Sequence, residues 1–121
     1  QHWVRDRANG RIPLERAIKR QCRDTAQLYG FLDRGVIECG YLADLNVIDL
    51  DAIELNLPSV AFDLPAGGRR LLQTAKGYDC TIKSGQVTFR QGQSTGSYPG
   101  RVIRGPQSEP APSTLPETAI G

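Results

Sequence analysis

The sequence predicts an α+β piece in which a helix comes first, short strands follow, and a Pro-rich stretch closes the chain. Three observations carry this. Apolar residues recur at steps of three and four between Leu14 and Ala26. The period then falls to two around Ala43-Asp44-Leu45-Asn46-Val47, and Ser84-Gly85 parts two strand-like runs as a tight hairpin turn does. Helix segregated from strands is the pattern of α+β domains, or of the junction between two domains.

Pro13 opens the helix at a first-turn position, where its missing N–H costs nothing. Leu14, Ala17, Ile18, Cys22, Thr25 and Ala26 make one apolar stripe, with Glu15, Arg16, Lys19, Arg20 and Arg23 facing outward. Asp24-Thr25 is expected to interrupt it, and Ala26–Tyr29 to add a short turn that Gly30 ends. In "GVIECGYLADLNVID" Gly35 and Gly40 supply turns. Ala43, Leu45 and Val47 are expected on the buried face of a strand, with Asp44 and Asn46 on the wet one. Residues 51–58 read as an irregular connection ending at Pro58, and Val60-Ala61-Phe62 as a short strand before the turn Leu64–Gly68. Thr81-Ile82-Lys83 and Gln86–Phe89 form the hairpin, Gln91-Gly92 turns the chain again, and Thr95-Gly96 and Pro99-Gly100 break it. The segment "PQSEPAPSTLPETAIG" lacks the large apolar residues a core needs and reads as a disordered tail.

Composition narrows the functional classes. A chain of 121 residues holds one domain with a modest core, and 13 Gly with 8 Pro point to many turns. No run approaches the ~20 apolar residues of a membrane helix, and the start is too polar for a signal peptide. The sequence contains no Met, so truncation is the expectation for Gln1. The net charge of +2 conceals an asymmetry. Arg5, Arg7, Arg11, Arg16, Lys19, Arg20 and Arg23 crowd the first 23 residues, whereas residues 33–63 are acidic with Arg34 as their one cation. Aromatic residues are too sparse for a stacking platform, so the basic segment reads as a solvated helix face near the acidic one, with no nucleic-acid partner. Cys22, Cys39 and Cys80 are far apart and odd in number; they suit buried thiols in a reducing compartment.

The search for chemistry finds no assembled site. His2 is the one histidine, so a metal would need Cys or carboxylate partners, and none stands at a recognisable spacing. Asp44 and Asp49 are possible carboxylate ligands, but acids on an exposed edge strand explain them equally well. Gly67-Gly68-Arg69-Arg70 could hold an anion through amides and guanidinium groups; a glycine turn with two solvated arginines is simpler.

Two stretches together resemble a known family. "CRDTAQLYGFLDRGVIECGYLADLNVIDLD" is similar to the C-terminal signature of metal-dependent amidohydrolases. "FDLPAGGRRLLQTAKGYDCTIKSGQVTFRQGQSTGSYPGRVIRG" resembles the N-acyl-D-amino-acid deacylase (D-aminoacylase) branch, with its Asp-x-Pro element, Gly-Tyr lead-in and Pro-Gly-Arg close. The family often has Thr at the position of Cys22 and Pro at that of Thr25, both matters of helix packing. The likeness runs over residues 2–105. It implies the last helix of a (β/α)8 metal-dependent hydrolase barrel in residues 1–30, a β-sandwich segment in 31–105 and a tail in 106–121. It further implies a cytoplasmic enzyme with zinc that hydrolyses a non-peptide amide bond, turning an N-acyl-D-amino acid into a D-amino acid and a carboxylate. No catalytic, cofactor-binding or metal-ligating residue is carried onto this stretch, because the family's ligands stand upstream at barrel strand ends. The piece alone is therefore expected to be inactive, to hold no zinc, and to fold poorly without the N-terminal part of the same chain. A cyclic-amide (hydantoinase-like) hydrolase and a non-catalytic β-sandwich binding module are the alternatives.

Overall fold

The computed structural model of the chain describes residues 1–111. It begins with one wide turn, His2–Asp6, closed by the Arg7 amide donating to the His2 carbonyl at 3.0 Å. Helix α1 covers Leu14–Lys19 and α2 covers Thr25–Leu28. Between them Arg20–Asp24 forms a π-helical turn. The expected interruption at Asp24-Thr25 is thus a widening and not a break, since both residues keep right-handed helical angles. Widening strands a carbonyl, and the Thr25 hydroxyl takes it up, donating to the Arg20 oxygen at 2.8 Å. Pro13 sits one position before the helix, where its carbonyl accepts the first helical bond from Ala17. Gly30 ends α2 as expected. Its amide donates to Gln27 and that of Phe31 to Ala26, the paired bonds of a Schellman close.

Eight short strands follow in three antiparallel sheets. Strand β1 (Leu45–Ile48) edges a four-stranded sheet whose other members are β6 (Tyr78–Lys83), β7 (Gln86–Arg90) and β8 (Gln93–Ser94), in the order β1-β6-β7-β8. Lys83 pairs with Gln86 and Arg90 with Gln93. Each leaves a two-residue turn with both φ angles positive: Ser84 and Gly85 at 50° and 77°, Gln91 and Gly92 at 46° and 78°. Such turns match the twist of the strands they join. The 51–58 connection hides one strand, β2 (Glu54–Leu55), paired with β5 (Ala75–Lys76). Strands β3 (Ser59–Leu64) and β4 (Gly68–Leu72) form a separate hairpin around a 3₁₀ turn at Pro65–Gly67.

Face assignments in β1 depart from simple alternation. Val47 is 49% exposed, and the register against β6 shifts just after it, where Asp79 bulges between the partners of Val47 and Ile48. Asp44, expected on the wet face, is instead part-buried among cations. The helix stripe is only half covered: Ala26 is buried, yet Ile18 and Cys22 remain exposed. Ala26 is also the one buried apolar residue among those described. Gly35 packs closest on the helix, since a Cβ there would stand 3.0 Å from both the Ala26 methyl and the Cys22 carbonyl. The start of the expected tail has partners of its own. Gln107 bridges Phe31 through its amide to the Gly30 carbonyl, at 2.8 Å, and its carbonyl to the Leu32 amide, at 3.2 Å. Residues 112–121 of that tail lie outside the described residues.

Candidate functional site

The residues singled out by sequence do not converge. His2 stands edge-on to Trp3, with ring centroids 5.6 Å apart. Cys22 and Cys39 are exposed rather than buried, as the half-covered helix and the open loop leave them, and all three thiols are free. Among the described residues no three His, Cys, Asp or Glu side chains come together as a metal seat. The residues present therefore do not fit a zinc site, and no step through a metal is derived from them. Gly68-Arg69-Arg70 lies in strand β4 beyond the turn. There Arg70 forks onto Asp63 at 2.7 and 2.6 Å, which uses the guanidinium proposed for an anion. Asp49 turns back on its own loop, accepting from the Asp51 and Ala52 amides at 3.0 and 3.1 Å.

Asp44 is drawn into a network that sequence reasoning missed. Its carboxylate takes Lys83 Nζ at 2.9 and 3.0 Å, the Ser84 amide at 2.8 Å, and Arg34 at 3.4 Å. Arg34 also forks onto Asp33 at 2.8 and 2.9 Å and lies over the Phe31 ring. That hydrogen-bonded guanidinium holds the Asp33 carboxyl below the usual carboxylate range, against a smaller opposing effect of burial. The signal was present in the strand order. Leu45 pairs with Ile82, so the preceding residue of β1 meets the following residue of β6, and those are Asp44 and Lys83. The network joins the Asp33-Arg34-Gly35 turn to the hairpin tip.

Beside this network a cleft of about 260 Å³ opens beneath the chain segment that ends the sheet. Asp33, Arg34, Lys83 and Ser84 line it together with Arg101, Ile103 and Arg104. A second polar tie had no counterpart in the sequence reading. The Arg5 guanidinium donates to the carbonyls of Leu50, Asp51 and Ile53 at 2.7, 2.6 and 2.8 Å, besides pairing with Asp6. The basic N-terminal segment thus meets the acidic one through backbone carbonyls and not through its carboxylates.

Helix, small antiparallel sheets and tying networks together define an α+β unit. The amidohydrolase family profile matches residues 2–89, and the chain belongs to that family. Within it the chain is similar to a D-aminoacylase of Alcaligenes xylosoxydans xylosoxydans, with 29% identity over 102 residues. That match takes in 84% of this chain but only 19% of the relative, so the chain spans about a fifth of that protein's length. No solved structure matches it. Among the described residues no helix is long and apolar enough to cross a membrane.

Proposed function

We propose that the chain is the C-terminal structural part of an amidohydrolase that cleaves a carbon–nitrogen bond outside peptides, with N-acyl-D-amino acids as substrates. Hydrolysis would yield a D-amino acid and a carboxylate. The family match over residues 2–89 carries this reading, and the D-aminoacylase likeness supplies the substrate class. In it, Pro13–Tyr29 closes a barrel and the strands belong to a small β-sandwich. The half-covered helix supports that placement, because a stripe with Ile18 at 47% exposure needs another surface to bury it. The partner is the N-terminal part of the same polypeptide, where the metal ligands and the catalytic groups would stand; zinc is the metal we propose for it. Three free thiols favour a reducing, cytoplasmic setting.

The role left to this chain is support. Arg5 pins the N-terminal turn to the 50–53 loop, and the Asp33–Arg34–Asp44–Lys83 network pins the helix exit to the sheet. Rigid second elements of this kind keep a site's geometry within the fraction of an ångström that catalysis requires. The test is an assay of the intact enzyme against N-acetyl-D-amino acids, their L counterparts and hydantoins, with metal analysis of the same preparation. D-selective release of amino acid by a zinc-bearing protein is the expected result. Ring opening of hydantoins alone would assign the cyclic-amide activity instead, and no hydrolysis of any amide would leave the binding-module reading.

A further inference from the structure

The cleft beneath residues 99–107 carries charge that the described residues do not neutralise. Four cationic side chains line it, Arg34, Lys83, Arg101 and Arg104, against the single carboxylate of Asp33. Arg34 engages both Asp33 and the adjoining Asp44, and Lys83 spends its donors on Asp44 and the Ser84 hydroxyl. Arg101 and Arg104 make neither a salt bridge nor a side-chain hydrogen bond to any described residue. Leu42, Pro99 and Ile103 complete the wall with apolar surface, and Arg101 and Arg104 are themselves exposed and open to a ligand. At about 260 Å³ the space admits a small polyatomic anion.

We propose that this cleft is an oxyanion-binding site, taking a carboxylate or phosphate group between the Arg101 and Arg104 guanidinium groups. Planar guanidinium groups present paired donors that match two oxygens of such an anion, where an ammonium offers only a point charge. The cleft is bounded by three separate stretches: the 33–42 loop, the hairpin tip at Lys83-Ser84, and residues 99–107. An anion seated there ties the closing segment to the sheet, so occupancy stabilises the fold by mass action. The site does not depend on which amide the enzyme hydrolyses.

The experiment measures the melting temperature of the intact enzyme during titration with sodium phosphate and, separately, sodium acetate, ionic strength being held constant with sodium chloride. A saturable rise in phosphate or acetate is expected, and the arm that saturates at lower concentration identifies the preferred group. In the double variant Arg101→Gln/Arg104→Gln the apparent Kd should rise about tenfold or more, as loss of charge-assisted bonds implies. Arg101→Lys, which keeps the charge, should weaken binding by less. Equal saturation in the double variant, or no saturable rise in the wild type, overturns the proposal. So does a fall in the double variant's melting temperature in chloride alone that neither anion changes, because the arginines would then be paired within the polypeptide.

Discussion

Replacing Gly77 by Ala should loosen the sheet far more than the same change at Gly85, although both residues have positive φ, 83° and 77°. A Cβ at Gly77 would lie 2.7 Å from the Ile53 nitrogen, 2.8 Å from its Cα and 2.9 Å from the Ala52 carbonyl carbon. These are backbone atoms, and they are held. Arg5 grips the carbonyls of Leu50, Asp51 and Ile53, and the Asp49 amide donates to the Gly77 carbonyl at 2.9 Å. At Gly85 a Cβ meets nothing within 4 Å. The left-handed conformation costs alanine about 1 kcal/mol at either site. Pushing a fixed backbone aside at Gly77 adds about 1–3 kcal/mol more. The sum, about 3 kcal/mol, is roughly a 100-fold change in a local opening equilibrium, against about fivefold for Gly85→Ala. Hydrogen exchange read by mass spectrometry on the intact enzyme, over peptides covering residues 45–56 and 78–90, measures both. Equal acceleration in the two variants would refute the close-approach argument, leaving conformational strain as the whole effect.

Arg5→Leu should free the 50–53 loop, with a loss of about 2–4 kcal/mol in local protection, since it removes three bonds from a charged donor to carbonyls. Arg5→Lys should recover only part, because an ammonium does not span three acceptors; full recovery would show that charge alone matters. Asp33 governs an acid-side effect. Its carboxyl is held down in the fold, so its contribution is complete above the unfolded value of about 3.9 and fades as pH falls through that value towards the folded one. Melting temperature should therefore fall less steeply below about pH 4 in Asp33→Asn than in the wild type, and parallel curves would contradict the linkage.

Local structure was legible wherever short-range chemistry decides it. Ser84-Gly85 and Gln91-Gly92 take the positive φ angles that two-residue turns demand, and Gly30 closes the helix as its lack of a side chain permits. Strand β2 was not legible, because Glu54-Leu55 has only two residues and no alternation to show; it exists through its pairing with Ala75-Lys76. The face of β1 was misread because apolar alternation marks a face without saying whether anything covers it, and Val47 stays 49% exposed. Buried thiols were expected at Cys22 and Cys39 on a general preference, but that preference acts only where something covers the residue. Arg5 was counted as part of a basic face. Its actual partners are carbonyl oxygens about fifty residues away, which carry no residue-type signal.

The same facts explain why chemistry and recognition come apart in this chain. Asp44 and Asp49 have the side chains of metal ligands, yet both are engaged by the fold: Asp44 through both oxygens, by Lys83, Ser84 and Arg34, and Asp49 through Oδ1 alone, by two amides of its own loop. A carboxylate so engaged gains little by turning to a cation it does not face. Apolar groups show the opposite condition. Phe62 is 70% exposed, Leu71 73% and Ile37 86%, while two of the three sheets are bare two-stranded pairs. Such pairs are marginal in water without a surface to pack on. Polar bonds therefore set the shape of this unit, while these apolar groups stay uncovered by the described residues.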